Sequence, residues 1–390
     1  MHWFRLLLGP QRSLAGLVLF AGGLLAAQAS DPPAIFPKPP EVEAAGYLLQ
    51  DFDSGQTLAE SNADQRLEPA SLTKLMTAYV LFHELAEGKI RLDQPVVVSE
   101  KAWRTEGSRS FIEVGRPVPV EVLLKGMIIQ SGNDASIALA EHAAGSEETF
   151  ARKMNEYAQR LGMTATHFVN ATGLPDPNHY TTPRDVAKVA TATMREFPQY
   201  YAWYSLKEFT WNKITQRNRN RLLWHDPSVD GMKTGHTAAA GYCLVSSAKR
   251  DGQRLLSVVL GTRSEKAREQ VSQTLLNYGF SAFETKTLYP AGSKLAEQRV
   301  WKGGEKMLPL GPAAALAVTI PRGAKGKLEA SLSLPATPIL APLAKGTELG
   351  KIQVKLGDKP IREAPLVALE TVEEGGIWAK TRDTLLLWFQ

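Results

Sequence analysis

Three short polar strings, far apart in the sequence, constrain this chain more than any other feature. They are Ser71-Leu72-Thr73-Lys74, Ser131-Gly132-Asn133 and Lys233-Thr234-Gly235. Each string alone carries little information, because such short patterns occur by chance in chains of this length. Together they supply a hydroxyl nucleophile, a nearby amine, a second hydroxyl beside an amide, and a further ammonium group. We therefore predict a fold that brings all three strings to one cleft, where they form a single catalytic set.

The first string predicts a nucleophile and its base on one face of a helix. Residues i and i+3 of a helix are neighbours, which places Ser71 and Lys74 on the same side. Pro69 suits the first turn of such a helix. Apolar residues continue at helical spacing, at Leu72, Leu75, Met76, Tyr79 and Val80. A lysine amine accepts a proton only when it is neutral, and burial and a second cation, for which we expect Lys233, both favour that form. The alternative is a helix cap followed by a solvated lysine.

The second string is predicted to lie in a loop between two buried helices. An apolar helix over residues 122–129 runs into this polar turn, and a helix of small residues follows it. Such a loop can project both side chains into a cleft, where Ser131 would relay a proton to a leaving amine and Asn133 would hold a substrate amide. Serine, glycine and asparagine are also common in turns and helix caps, so a purely structural role is the alternative.

The third string is predicted to lie on the edge strand of a sheet. Residues 242–248 and 254–261 predict two strands, joined by a hairpin turn at Asp251-Gly252. A strand that carries Lys233 before them would lie beside the cleft. Gly235 would let substrate or backbone approach closely, because it has no side chain. The alternative is a β-turn with a surface lysine.

The order of the predicted elements indicates an α+β fold. Residues 45–60 predict a strand hairpin, residues 66–200 are mostly helical, and residues 205–262 return to strands. A further helix is predicted over residues 267–278. Strands from both ends with helices between them predict one antiparallel sheet flanked by helices.

The composition changes after Glu284, and the chain is long enough for two domains. Short β-prone runs at 317–320, 328–332 and 351–354 alternate with proline and glycine turns. This pattern predicts a small all-β domain. It contains no constellation that indicates chemistry.

The first 29 residues have the pattern of a secretory signal peptide. Arg5 and Arg12 supply positive charge, residues 14–27 are apolar but short for a membrane span, and Ala27-Gln28-Ala29 is a plausible cleavage site. Loss of the two arginines would take the formal net charge from +5 to +3. Such mild basicity argues against a nucleic-acid partner and is compatible with an anionic membrane or wall surface.

The sequence contains no signature of a disulfide, a metal site or a phosphate-binding loop. Cys243 is the only cysteine, so an internal disulfide cannot form. It lies in an apolar strand and is expected to be a small core residue. The seven histidines do not have metal-ligand spacing. We therefore expect no cofactor.

The last fourteen residues, Ile377 to Gln390, predict a short amphipathic helix. Such a helix is about 21 Å long, which is too short for a hydrocarbon core of about 30 Å. Trp378, Leu385, Trp388 and Phe389 fall on one side of a helical wheel, and Lys380 and Asp383 lie away from it. This pattern predicts an interfacial membrane helix. The alternative is a helix that docks on the protein's own β domain.

Longer segments around the three strings resemble the D-alanyl-D-alanine carboxypeptidases of the penicillin-binding protein 5/6 group. The segments are residues 69–77, 130–135 and 229–237, with Asn218-Arg219-Asn220 and the tail segment 372–376. The resemblance covers nearly the whole mature chain. It implies a penicillin-binding/β-lactamase-like transpeptidase domain, followed by a small all-β domain and an amphipathic helix.

The resemblance also implies how the chain is divided and where it acts. It divides the chain into a signal peptide over 1–29, a catalytic domain over 30–285, a β-rich domain over 286–375 and an anchor helix over 376–390. The enzyme would be periplasmic and held at the outer face of the inner membrane. It would remove the last D-alanine from peptidoglycan pentapeptides during cell-wall maturation, and β-lactams would acylate it. No cofactor is implied.

Roles for individual residues follow from the resemblance. Ser71 would attack the substrate carbonyl, Lys74 would accept its proton, and Ser131 with Lys74 or Lys233 would protonate the leaving D-alanine. Backbone N–H groups of Ser71 and His236 would form an oxyanion hole. The remaining binding residues would be Asn133 for the peptide amide, Gly235 on the strand beside the substrate, and Thr234 and Arg268 for the terminal carboxylate. Arg219 would be a further substrate-binding residue. Arg268 could instead be an ordinary helix arginine.

Other functions use the same set of residues. A class A β-lactamase needs a glutamate for deacylation, and residues 162–185 contain Asp176 and Asp185 but no glutamate. An endopeptidase or transpeptidase would differ only in the bond cut or the acceptor. A non-enzymatic wall-binding protein is the alternative of a different class, and the intact set argues against it.

Overall fold

The computed structural model describes residues 37–324, 328–334 and 336–388 of the 390-residue chain. The predicted signal peptide and the last two residues of the predicted tail helix, Phe389 and Gln390, lie outside the described residues.

The first large region of the chain is an antiparallel sheet flanked by helices, which confirms the predicted α+β class. A 3-10 turn, Ala70–Leu72, directly precedes its first α-helix, and a second one spans Ala202–Ser205. In chain order the elements are β1 (Gly46–Asp51), β2 (Thr57–Ser61), α1 (Thr73–Ala86), β3 (Pro95–Val97), α2 (Glu100–Arg104), β4 (Pro117–Pro119), α3 (Val120–Ile129), α4 (Asn133–Ala144), α5 (Glu147–Arg160), α6 (Pro183–Glu196), α7 (Pro198–Tyr201), β5 (Glu208–Trp211), β6 (Ile214–Arg217), α8 (Leu222–His225), β7 (Val229–Thr237), β8 (Gly241–Arg250), β9 (Gln253–Thr262) and α9 (Glu265–Ala282).

The main sheet has the strand order β2-β1-β9-β8-β7, and all neighbours are antiparallel. Strands from both ends of the region therefore pair with each other, as the sequence predicted. The strand β7, which carries the third polar string, lies at the sheet edge. Successive side chains of a strand point to opposite faces. Leu255 and Val259 of β9 accordingly pack in a cluster with α9, while Leu256 and Val258 pack in the cluster that contains α1. Because helices cover both faces, β8 and β9 each contain six consecutive buried residues.

The helix α1 is central to the helical layer and is buried on almost all sides. Its buried residues include polar ones, among them Lys74 and Thr77. A helix that is buried all round normally has an apolar surface, so these two side chains need internal partners. Thr77 donates a hydrogen bond to the carbonyl of Ala171 at 2.8 Å, and the partners of Lys74 form the candidate site.

The second large region is all-β, as predicted. Its strands are β10 (Phe283–Tyr289), β11 (Ala296–Trp301), β12 (Met307–Gly311), β13 (Leu316–Pro321), β14 (Leu328–Ser333), β15 (Ile339–Leu340), β16 (Glu348–Leu356) and β17 (Lys359–Ala368). β10 pairs with β13, and the other six form a sheet in the order β14-β16-β17-β12-β11-β15. Buried polar contacts join the two regions: the Ser54 and Thr319 hydroxyls are 2.6 Å apart, and Thr285 donates to Asp51 at 2.5 Å.

A short helix, α10 (Ile377–Leu387), follows the β region, and its one buried residue is Asp383. Asp383 is only 3 % exposed and accepts a hydrogen bond from the backbone N–H of Lys302 at 2.8 Å. Ile377, Trp378 and Trp388 are more than four-fifths exposed. Within the part of the chain that the structure describes, no helix is long and apolar enough to cross a membrane.

Candidate active site

The turn that carries Ser71 is enclosed by two segments that approach its backbone closely. Ser71 lies in the 3-10 turn just before α1, where the i and i+3 side chains are nearly eclipsed. A Cβ atom on Gly235 would lie 3.2 Å from the backbone nitrogen of Ser71. A Cβ atom on Gly173, whose φ is +82°, would lie 1.8 Å from the carbonyl oxygen of Ala70. The close approach predicted for Gly235 is thus an approach of backbone to backbone.

Lys74 lies one turn after Ser71 and is 1 % exposed. Its Nζ is 2.9 Å from Ser71 Oγ, 2.7 Å from Asn133 Oδ1 and 2.6 Å from the carbonyl oxygen of Thr172. A neutral amine has two N–H donors and one lone pair. The amide and carbonyl oxygens accept the two N–H groups, so the lone pair is left to accept the hydroxyl proton of Ser71. The arrangement therefore suits proton transfer from the serine.

The pKa of Lys74 is lowered to about 7, chiefly by burial and also by the positive charge of Arg219. The buried carboxylate of Asp134 acts in the opposite direction. The sequence led us to expect Lys233 as the second cation. Lys233 is itself buried, and desolvation together with the charge of Lys74 lowers its own pKa well below the ordinary value. The two amines therefore oppose each other's charge, and Arg219 is an additional cation that lowers the pKa of Lys74.

The second polar string forms the predicted loop between α3 and α4. Ser131 adopts a left-handed conformation with φ of +68°, and its Oγ accepts a hydrogen bond from Lys233 Nζ at 2.8 Å. Asn133 uses its oxygen to accept from Lys74 and its Nδ2 to donate to the carbonyl of Glu106 at 2.6 Å. The asparagine thus links the base to a neighbouring loop, and one N–H of its amide is left for a substrate carbonyl.

The strand β7 presents the third string along one side of the cleft. Lys233 also donates to the carbonyl of Thr234 at 2.9 Å. His236 is exposed, and its ring stacks on Tyr242 with the centroids 4.0 Å apart. The edge position of β7 leaves its outer backbone groups facing the cleft, where an extended peptide can pair with them.

Two arginines complete the cleft. Arg268 lies in the first turn of α9 and is buried, with Nη1 3.4 Å from the carbonyl of Gly235 and Nη2 3.5 Å from Glu265. Its Nε has no hydrogen-bond partner among the described residues. Arg219 follows β6 and is exposed at the cleft wall. The cleft has a volume of about 380 Å³ and is lined by Ser71, Gly107, Ser108, Ser131, Arg219, Thr234, Gly235, His236, Tyr242, Glu265 and Arg268.

The structure therefore brings all ten predicted residues to one place, and it adds contacts that the sequence did not reveal. Asp134 is fully buried, and its carboxylate accepts the backbone N–H of Ser110 at 2.8 Å, which holds the loop that bears Gly107. Thr172 contributes only its carbonyl oxygen. A contact made by a backbone carbonyl does not depend on the residue type, so sequence reasoning could not have found it. Asp134 lies next to the second polar string and could have been considered.

The loop that supplies Thr172 is attached to α1 by a buried histidine. His179 Nδ1 accepts the backbone N–H of Val169 at 3.2 Å, and its Nε2 is 2.8 Å from Thr73 Oγ1. Since Nδ1 accepts, the neutral ring carries its proton on Nε2 and donates to Thr73. Burial lowers the pKa of His179 to about 4, which keeps this tautomer neutral. The described residues contain no group of three or more histidine, cysteine or acidic side chains that could hold a metal.

Two family models match the chain. The first, described as D-alanyl-D-alanine carboxypeptidase, matches residues 34–264, and the second, described as penicillin-binding protein 5, C-terminal domain, matches residues 283–374. The D-alanyl-D-alanine carboxypeptidase DacC of Escherichia coli K12 is 44% identical over 98% of this chain and 96% of the relative. The Haemophilus influenzae carboxypeptidase DacA is 43% identical over 90% of each chain.

Solved structures agree with these sequence relatives. Penicillin-binding protein 5 from Haemophilus influenzae aligns with a TM-score of 0.81 at 43% identity, and the match covers 87% of this chain and all of that one. The Streptomyces K15 DD-transpeptidase aligns with a TM-score of 0.59 at 32% identity over 63% of this chain and 99% of its own.

Proposed function

Because this chain belongs to the D-alanyl-D-alanine carboxypeptidase family, we propose that it releases the terminal D-alanine of peptidoglycan stem peptides through an acyl-enzyme on Ser71. It is a serine-type D-Ala-D-Ala carboxypeptidase and a penicillin-binding protein. The observation that carries the mechanism is the contact of Ser71 Oγ with Lys74 Nζ at 2.9 Å, beside a second hydroxyl–amine pair, Ser131 and Lys233, at 2.8 Å.

Acylation begins at the carbonyl of the penultimate D-alanine. Ser71 Oγ attacks this carbon while its proton passes to the neutral amine of Lys74, whose two N–H groups stay bound to Asn133 and Thr172. The new C–O bond places negative charge on the former carbonyl oxygen. Backbone N–H groups of Ser71 and His236 are the proposed donors to this oxyanion.

Collapse of the tetrahedral intermediate breaks the bond to the leaving D-alanine. The leaving nitrogen needs a proton, and Ser131 supplies it in our proposal. Ser131 is re-protonated by the proton that Lys74 took from Ser71, passed on directly or through Lys233, so that both amines end neutral. The D-alanine carboxylate would be held by Thr234, Arg268 and Arg219, since guanidinium groups bind carboxylates through paired hydrogen bonds. Water then hydrolyses the ester on Ser71, and a β-lactam ring would be opened by the same attack.

The test is direct. Full-length protein should release D-alanine from a soluble D-Ala-D-Ala pentapeptide, and a fluorescent penicillin should label it at a single residue, Ser71, by peptide mapping. Release without labelling, or a label on Ser131, would refute the assigned nucleophile. A β-lactamase would instead turn over penicillin rapidly. The two acids of segment 162–185 do not favour that alternative, because Asp185 is bonded to Thr166 and Lys188 and Asp176 accepts a backbone N–H of its own loop.

We also propose a periplasmic location with α10 as a peripheral membrane anchor. The helix is held to the β region through Asp383, which leaves Trp378, Leu385 and Trp388 exposed. Exposed tryptophans suit the headgroup level of a bilayer. We retain the proposed division into a catalytic domain over 30–285, a β-rich domain over 286–375 and an anchor over 376–390.

A further inference from the structure

A continuous groove leads away from the catalytic cleft. A second cavity of about 540 Å³ shares Arg219 and Glu265 with the cleft. A third cavity of about 410 Å³ shares Arg221 and His225 with the second. We call the second and third cavities together the basic groove. Its charged and aromatic lining residues are four cations, two glutamates, a tryptophan and a histidine: Arg217, Arg219, Arg221, Lys266, Glu265, Glu269, Trp224 and His225.

The local sequence explains why this lining is cationic and aromatic. In the run from Arg217 to Arg221, arginines alternate with asparagines. The asparagines are buried and bonded to backbone carbonyls, Asn218 to Leu206 at 2.9 Å and Asn220 to Gly231 at 2.9 Å. The arginines are therefore directed outward. The short helix α8 continues this arrangement, because its two leucines are buried and its Trp224 is 40% exposed.

The positive charge of the groove is only partly balanced within the protein. Arg221 lies 3.4 Å from Glu265, and both side chains are exposed. Arg217 and Arg219 have no carboxylate within ion-pair distance among the residues that the structure describes. Unpaired guanidinium groups on a concave wall attract carboxylates and bind them in pairs of hydrogen bonds. Trp224 adds an apolar face beside them.

We propose that the basic groove binds a carboxylate-bearing neighbouring segment of the cell-wall polymer while the catalytic cleft holds the stem peptide being hydrolysed. This inference depends on the proposed function for the identity of the polymer. Stem peptides carry carboxylates besides the terminal one, and in the polymer several stems lie near each other. The groove adjoins the cleft at Arg219, so one polymer can occupy both. The consequence is that polymeric substrate is bound more tightly than a short soluble peptide.

The experiment compares two substrates with full-length protein. One is a short diacylated tripeptide ending in D-Ala-D-Ala, whose only carboxylate is the terminal one. The other is uncross-linked peptidoglycan with intact pentapeptides. The variants are Arg217→Glu, Trp224→Ala and the double variant, and the matched control is Arg152→Glu, which reverses an exposed charge on α5 outside the groove.

We expect Arg217→Glu to lower kcat/KM for the polymer about tenfold, because only the polymer reaches the groove. The kcat/KM for the short peptide should stay within about twofold of the wild-type value. The control should leave both unchanged. Salt at about 0.5 M should remove most of the polymer's advantage with wild-type protein. An equal loss on both substrates, or no loss on the polymer, would overturn the proposal.

A vesicle-binding experiment distinguishes the wall polymer from an anionic lipid surface as the ligand of the basic groove. Flotation with phosphatidylglycerol vesicles should be the same for wild type and Arg217→Glu. If the variant loses flotation but keeps full activity on the polymer, the groove is a lipid site and the inference is wrong. Failure of the proposed function would appear separately, as no D-alanine release from the short peptide by the wild-type protein.

Discussion

The catalytic cleft and the C-terminal helix differ in which side chains they bury: the cleft buries charged ones, whereas the helix exposes large apolar ones. In the cleft, Lys74 and Lys233 are 1 % and 2 % exposed, whereas on α10 Trp378 and Trp388 are 89 % and 81 % exposed. Burying an ammonium group and exposing a large aromatic group both cost free energy in a soluble protein. We therefore propose proton transfer as the function of the buried amines and contact with another surface as the function of the exposed helix face.

The two regions also differ in how the rest of the protein supports them. The buried amines are held by acceptors from the 3-10 turn of Ser71, the loop of Ser131, α4, β7 and the loop of Thr172, so the cleft depends on several elements at once. The helix α10 is attached through one buried carboxylate, Asp383. We therefore expect changes in the cleft to affect chemistry strongly and changes on the outer face of α10 to affect only location.

The largest effect should come from the nucleophile. Ser71→Ala should lower D-alanine release by about 10⁴-fold or more and abolish labelling by fluorescent penicillin. The melting temperature should be nearly unchanged, because the substitution removes only one half-buried hydroxyl group. Ser131→Ala is the matched comparison: it removes a hydroxyl from the same cleft, and we expect it to retain covalent labelling. A stable penicillin adduct on Ser71→Ala would contradict the mechanism.

The next effect concerns the pH dependence of acylation. Below a pKa of about 7 for Lys74, the amine carries a proton and cannot accept one from Ser71. The acylation rate should therefore rise with pH through an apparent pKa near this value and then level off. Lys74→Arg, which stays protonated, should lose about 100-fold or more. Stopped-flow acylation by a chromogenic β-lactam would measure both.

The charge of Arg219 predicts the direction in which the pH profile of acylation should shift when this residue is replaced. Because that charge lowers the pKa of Lys74, Arg219→Gln should move the acylation profile to higher pH. Arg217→Gln is the matched control, since Arg217 is not among the charges that act on Lys74, and its profile should not move. A profile that is flat from about pH 6 to 10 would show that Lys74 is not the base.

A smaller effect should follow from closing the space around the Ser71 turn. Gly173→Ala would place a methyl group 1.8 Å from the carbonyl oxygen of Ala70 at a φ of +82°. We expect it to cost about 2–4 kcal/mol of unfolding free energy and to slow acylation. Gly55→Ala has a similar φ of +70° but open space around it, so it should cost about 1 kcal/mol. Urea denaturation measures both, and equal costs would show that the turn is not tightly enclosed.

Sequence reasoning found the cleft because its chemistry depends on residue types at short spacings. The i to i+3 relation of Ser71 and Lys74, the loop position of Ser131 and the edge position of Lys233 all follow from local pattern. For β1 and β9, the sequence predicted membership of one antiparallel sheet but not which residues pair. That register is set by the packing of both sheet faces against helices.

The rest of the site depends on contacts that residue types do not encode. The carbonyl of Thr172 reaches Lys74 through a loop whose position is set by His179 and Gly173. The contribution of Arg219 to the lowered pKa of Lys74 depends on where the fold places the guanidinium group. Such effects follow from three-dimensional packing. The sequence therefore identified the residues of the site but not which charged groups shift which pKa.

The smallest effect on chemistry is expected at the outer face of α10. Trp378→Ala with Trp388→Ala, or deletion of Ile377 to Gln390, should leave activity on a short soluble peptide within about twofold, because the described part of this helix is bonded to Arg299 and Lys302 of the β region. Binding to anionic vesicles should be lost. Vesicle flotation and a soluble-peptide assay on the same preparations test both expectations.

The control for this prediction is Asp383→Ala, which disturbs the docking of α10 but keeps both tryptophans. Its carboxylate is 3 % exposed and accepts the N–H of Lys302, so its loss should cost about 1–3 kcal/mol of local stability, seen as faster hydrogen exchange in α10. Vesicle binding should be retained, since the apolar face is intact. If the double tryptophan variant instead lowers the melting temperature by many degrees and still floats with vesicles, α10 is a structural helix of the β region and the anchor proposal is wrong.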